Sequence, residues 1–136
     1  MIKPIMKSEF FLRLPSEDAG PDDAATGQDL LDTLHEHEHE CVGLAANMIG
    51  VRKRIICVKD GNRTLLMYNP QILEQVNAYQ TSEGCLSLVG ERPCTRYRRI
   101  KVEYLDEDFV HRIKNFSGYT AEIIQHKIDH CNGIVI

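Results

Sequence analysis

QHKIDH, residues 125–130, places two histidines four apart. On a helix that spacing stacks them on one face, where two imidazoles can share a cation. In metallohydrolases built this way a glutamate follows the first histidine and acts as general base. Here that position is Lys127. Reading outward, GYTAEIIQHKIDHCNG (118–133) is a helix with Thr120 as N-cap and Glu122 in its first turn, stopped near Asn132-Gly133. At about 100° per residue, Ala121, Ile124, Ile128 and Cys131 form an apolar stripe. His126 and His130 fall nearly opposite it, with Ile123 beside them. Two readings stay open. Either the histidines are polar residues on a solvated face, or they line a pocket and the helix is covered on both sides.

Upstream, turn-rich PSEDAGPDD (15–23) leads into a helix expected from Asp23 to Glu40, with Leu30, Leu31 and Leu34 inward. It ends in HEHEHE (35–40), a solvated terminus in which only His35 and His39 are spaced to share an adventitious ion. CVGLAANMIG (41–50) is small and apolar. RIICVK and TLLMYNP read as strands around Asp60-Gly61-Asn62. A further extended stretch runs from Ile72 to Thr81 into EGCLS (83–87), and IKVEYLD and FVHRIKNF pair around Asp106-Glu107-Asp108. Strands between two helices argue for an α+β fold.

The chain of 136 residues is expected to form one domain spanning 1–136, large enough to bury roughly two-thirds of its unfolded surface. Its net charge of −4 gives no reason to expect nucleic acid or an anionic membrane. No apolar run approaches the ~20 residues of a membrane span, and the N-terminus lacks a signal-peptide core, so the expected location is the cytoplasm. Cys41, Cys57, Cys85, Cys94 and Cys131 are odd in number and irregularly spaced, unlike a disulfide framework.

EGCLS offers a cysteine flanked by glycine. A thiolate is a strong ligand for zinc or ferrous iron and shares sites with imidazoles. A Cys/His/His set leaves one position open for water, whose pKa the metal would lower toward neutrality. With VGLAANMIG (42–50), EGCLS (83–87) and QHKIDH (125–130) in this order, the chain resembles the peptide deformylase family over nearly its whole length.

That resemblance implies antiparallel sheets around a central metal-bearing helix, with a short C-terminus ending at Ile136. It implies removal of formyl from N-formylmethionyl peptides or nascent chains, with the ribosome a further candidate partner. The implied metal is ferrous iron, with zinc, nickel or cobalt accepted. Its ligands would be Cys85, His126 and His130. The Leu86 N–H would hold the formyl oxygen. Gly43 would pair with the extended peptide. Val42 and Ile123 would wall the methionine pocket. Glu83 and Arg96 would form a buried ion pair, and Asp129 a supporting carboxylate.

Three departures fall at the chemistry. Lys127 replaces the family glutamate, and an ammonium has no lone pair with which to accept a proton. About 5 Å from a thiolate-bound divalent ion it would be repelled by about 3 kcal/mol at an effective dielectric near 20. Lys127 is therefore expected to swing out to solvent, or else to become neutral or weaken metal binding. Met48 replaces a glutamine that donates to the oxyanion, and a thioether donates nothing. Cys41 replaces a glycine and would crowd the peptide strand. Glu122 is expected to be a solvated acid. These changes point to strongly impaired hydrolysis, with a non-catalytic protein that binds metal, a peptide N-terminus or a partner as the alternative. A zinc protease of the HExxH kind would need the same glutamate and leaves EGCLS unexplained.

Overall fold

The computed structural model describes residues 1–135. The expectation about the chain's end at Ile136 lies outside them. A short helix α1 (Glu9–Leu12) precedes α2 (Ala24–Glu36). Strands β1 (Gly43–Ala45), β2 (Ile55–Asp60), β3 (Arg63–Gly84), β4 (Glu91–Leu105) and β5 (His111–Ser117) follow, and α3 (Gly118–Cys131) comes last. The fold is α+β as expected. The strands form one antiparallel meander in the order β1-β2-β3-β4-β5, a single sheet where more than one was expected. No helix among the described residues is long and apolar enough to cross a membrane.

Two expected strands, TLLMYNP and Ile72–Thr81, are halves of the one long β3. Pro70, between the two halves, has no N–H to give a ladder. The chain absorbs it as an irregularity: register shifts lie between Tyr68 and Gln71 and between Ile72 and Glu74, and Asn69 takes a left-handed φ of 53°. Asn69 is held there by its own amide, which accepts from Ala19 N at 2.7 Å and donates to Ala19 O at 2.9 Å. The β2–β3 hairpin closes tightly, with Gly61 at a φ of 61° between the paired Asp60 and Arg63.

α2 stops at Glu36, before the expected Glu40, and residues 37–40 form turns. His35 pairs with Glu38 at 3.3 Å and His37 with Glu40 at 2.7 Å. The helical spacing that His35 and His39 needed to share an ion is therefore absent. Along α2, Leu30, Thr33 and Leu34 are buried. Gly27 lets the helix approach the sheet: a Cβ there would press into the Tyr68 hydroxyl and approach Leu66 Cδ2 to 3.2 Å. The Tyr68 ring is itself fixed by stacking on Phe109 at 4.2 Å. Gly27→Ala should therefore destabilise the fold by about 1–3 kcal/mol, although alanine is the better helix former. Urea unfolding measures this, and an unchanged or higher midpoint would contradict it.

α3 is buried on both sides, which decides between the two readings of its wheel. Ile124, Ile128 and Cys131 enter the core, and Ile123, His126, Lys127 and His130 are buried on the other face. The cap differs from expectation. Ser117 is the N-cap, with no side-chain cap bond, and Thr120 instead donates to Asp60 Oδ1 at 2.9 Å. Gln125 fixes the helix to β4. Its amide oxygen accepts from Tyr97 N, and its nitrogen donates to Tyr97 O, each at 2.8 Å.

Candidate active site

Three elements converge on one cleft. β3 ends at Gly84 and delivers Cys85, α3 delivers His126 and His130, and the short β1 runs along the opening. The thiol sulfur of Cys85 and one ring nitrogen from each histidine all lie within 4.8 Å of one another. Cys85 Sγ is 3.4 Å from His130 Nε2. His126 turns Nδ1 to Glu83 Oε1 at 3.2 Å, which leaves Nε2 buried and without a protein partner. An orphaned buried nitrogen beside a thiol and a second imidazole is what a bound cation would satisfy. The donor set is also one that zinc or ferrous iron prefers, and it leaves one position open. The residues present therefore fit a metal ion.

Burial alone would push the Cys85 thiol up. The nearby His126 and His130 imidazoles, with the Lys127 ammonium, outweigh it and bring the thiol down to about 4. Cys85 is thus a thiolate at neutral pH, the form that binds metal. Burial lowers His130, keeping its imidazole neutral.

A buried network supports this cluster. Arg96 grips Glu83 with Nε at 3.0 Å and Nη2 at 2.7 Å, and reaches Asp129 with Nη1 at 2.6 Å. Against its burial, hydrogen bonds from His126 and Arg96 hold the Glu83 carboxyl well below the usual range. Asn47 Nδ2 donates to His130 O at 2.9 Å and ties the end of α3 to the turn after β1.

The cleft holds about 490 Å³ and is lined by Val42, Gly43, Cys85, Leu86, Ile123, His126 and Lys127, among others. His130 and Met48 lie behind its wall, fully buried. β1 is an edge strand, paired only with β2 among the described residues. Val42 O accepts from Lys59 N at 2.8 Å on the β2 side. By strand alternation the Gly43 carbonyl faces the open edge, where an added strand would pair.

The family model described as Polypeptide deformylase matches residues 6–136. The chain belongs to the peptide deformylase family. It is 50% identical to a peptide deformylase of Clostridium beijerinckii over 136 residues, all of both chains. It is 36% identical to peptide deformylase 1 of Clostridium perfringens, over 79% of this chain and 74% of that one. Among solved structures, peptide deformylase from Thermotoga maritima superposes with a TM-score of 0.89 at 28% identity, covering 99% of this chain and 95% of that one. The actinonin-bound class I type b enzyme of Acinetobacter baumannii gives 0.88 at 29%, with coverage of 99% and 95%.

Against the deformylase pattern, Lys127 does not swing out to solvent. It is 5% exposed, and its Nζ rests 3.7 Å from Met48 Sδ. Its stem runs beside Gly43, whose Cβ, if present, would sit 3.4 Å from Lys127 Cγ. The stem thus stays folded against the cleft wall. Lys127 and Met48 touch each other. Glu122 also departs from expectation. It lines the cleft half-buried, Tyr79 Oη donates to it at 3.4 Å, and a hydrogen bond with Glu83, aided by burial, raises its carboxyl. Cys41 Sγ donates to Gly43 O at 3.0 Å, occupying the carbonyl that a peptide strand would seek.

Sequence reasoning missed the structural roles of Gln125 and Asn47. Gln125 carried a signal, because a glutamine on the helix facing a sheet needs partners for both amide ends. For Asn47, within a run of small apolar residues, there was the same signal of an isolated polar group.

Proposed function

We propose that the chain is a metal-dependent hydrolase of N-formylmethionyl peptides whose turnover is strongly restrained by Lys127 and Met48. The observation that carries this is the Cys85–His126–His130 cluster beside the open edge of β1, with an ammonium and a thioether behind it. Cys85, His126 and His130 hold the ion, with ferrous iron favoured by family resemblance and zinc, nickel or cobalt accepted. That ion supplies Lewis acidity and a nucleophile at neutral pH.

The remaining roles belong to the chain. Gly43 pairs with the peptide backbone, and Val42 and Ile123 wall the side chain of the first residue. The Leu86 N–H faces the formyl oxygen. Lys7 Nζ donates to Leu86 O at 2.7 Å and steadies that loop. Lys127 cannot take up a proton as an ammonium, and Met48 cannot donate to a developing oxyanion. A second reading, binding of a peptide N-terminus without turnover, is favoured by the burial of both substituted side chains. Met-Ala-Ser, the peptide bound in a structure of the Acinetobacter baumannii enzyme, is a suitable probe for it.

The test is nickel-loaded protein assayed on formyl-Met-Ala-Ser, with Cys85→Ser alongside. The expected result is slow turnover and about one nickel per chain, both lost in Cys85→Ser because an alcohol is a poor ligand for such an ion. Mass spectrometry reads the nickel. Turnover that survives in Cys85→Ser would overturn the proposal. Nickel binding and Met-Ala-Ser binding without any turnover would establish the second reading.

A further inference from the structure

Tyr119, Glu122, Ile123, His126 and Lys127 line the cleft at helical spacing along one face of α3. Glu122 therefore stands one turn before His126 and beside Ile123, the residue assigned above to the wall around the first side chain. Ile123 leans on β1, where a Cβ on Gly43 would sit 2.7 Å from Ile123 Cγ2. Glu122 leans the other way, toward β3, where Tyr79 Oη donates to its Oε1 at 3.4 Å. The space between has one apolar side and one carboxyl side. The other two carboxyl groups lining the cleft are already engaged. Glu83 is held by Arg96 and His126, and Glu40 pairs with His37 at the exposed rim. Glu122 makes no ion pair among the described residues. A carboxyl group offers about four lone-pair sites, so Glu122 keeps acceptor capacity to spare in either protonation state.

We infer that Glu122 is a specificity-determining residue: it accepts an N–H from the side chain of the first residue, so the cleft takes N-formyl peptides that begin with glutamine alongside those that begin with methionine. This rests on the peptide reading above. A methionine thioether has no N–H to give, whereas a glutamine side chain of similar reach ends in an amide that donates two. In an all-apolar pocket that amide is left unpaired, and the penalty is what rejects it. A carboxyl group on one side of the pocket removes the penalty without closing the pocket to methionine. The accepted class thus widens from apolar first residues to uncharged ones that end in a primary amide.

The experiment compares formyl-Met-Ala-Ser with formyl-Gln-Ala-Ser on the nickel-loaded natural chain and on Glu122→Leu, Glu122→Ala and Glu122→Gln. Formate release gives kcat/KM, and isothermal titration calorimetry gives each affinity independently of turnover. The glutamine-to-methionine ratio should fall on the order of tenfold in Glu122→Leu and Glu122→Ala, the worth of one hydrogen bond. Glu122→Gln, whose amide oxygen still accepts, should keep most of the ratio. A purely structural role for Glu122 would lower both peptides together and leave the ratio unmoved. Circular dichroism checks that the variants fold, and if one apolar variant does not, the other carries the comparison. A ratio equal in all the proteins overturns the inference and leaves the peptide reading standing. So does a natural chain that binds formyl-Met-Ala-Ser and rejects formyl-Gln-Ala-Ser outright. Binding of neither peptide overturns the peptide reading itself, and the inference with it.

Discussion

Lys127→Glu combined with Met48→Gln is expected to raise kcat/KM for formyl-Met-Ala-Ser by about 10²–10⁴ in the nickel-loaded protein. The lower bound is what one positioned base typically contributes, and an oxyanion donor is worth a similar factor. The two gains should not multiply, because groups that act as one unit are grossly non-additive. The structure gives a concrete reason for coupling here: Lys127 Nζ and Met48 Sδ are 3.7 Å apart. Changing Lys127 alone sets a new carboxylate against a thioether that cannot donate to it. Changing Met48 alone places an amide beside an ammonium, which orients the amide oxygen toward the lysine and its N–H groups away. Each single variant should therefore gain less than its share, and the double variant more than their product. Steady-state assays of the four proteins at matched nickel content decide this. A double variant within tenfold of the natural chain would show that the block lies elsewhere. Cys41, whose thiol occupies the Gly43 carbonyl, is then the residue to change.

That Cys85, His126 and His130 come together was legible because their residue types leave little choice. A thiol in EGCLS and two imidazoles one helical turn apart form a donor set, and the wheel of α3 placed both histidines on one face. Lys127 was misjudged because its fate depends on its neighbours. A lysine stem can carry its charge to water, but this one stays folded against the cleft wall. The double covering was visible as an alternative, yet its consequence for Lys127 needed the positions of β1 and Met48. Glu122 was misread for a related reason. Its surroundings are set by Tyr79 and Glu83 on β3, far away in sequence. β3 itself was cut in two because the Asn69–Ala19 bonds that hold the strand together beside Pro70 are long-range. Local chemistry was readable, and what came from distant neighbours was not.

Arg96→Met is expected to cost about 3–5 kcal/mol, the usual effect of removing one partner from a buried ion pair. Arg96 and Glu83 are only 5% and 8% exposed, and the guanidinium also holds Asp129 at 2.6 Å. Removing it strands the largely buried Glu83 carboxylate and frees the Asp129 edge of α3. The ion pair itself is worth much less than this penalty, so adding Glu83→Gln to Arg96→Met should restore a large part of the loss. Urea unfolding of the metal-free proteins measures both values. A loss below about 1 kcal/mol for Arg96→Met would mean that the pair is effectively solvated, in the range of exposed bridges. Function should separate the two variants in the opposite sense. Glu83 Oε1 faces His126 Nδ1 at 3.2 Å and so orients the ring whose Nε2 is buried without a protein partner. An amide at 83 keeps an oxygen that can still accept from Nδ1–H but lacks the negative charge that makes the imidazole a better ligand. Nickel affinity should therefore stay about 10–100-fold below that of the natural chain in the double variant even where stability returns. A return of both together would show that Glu83 serves the fold alone.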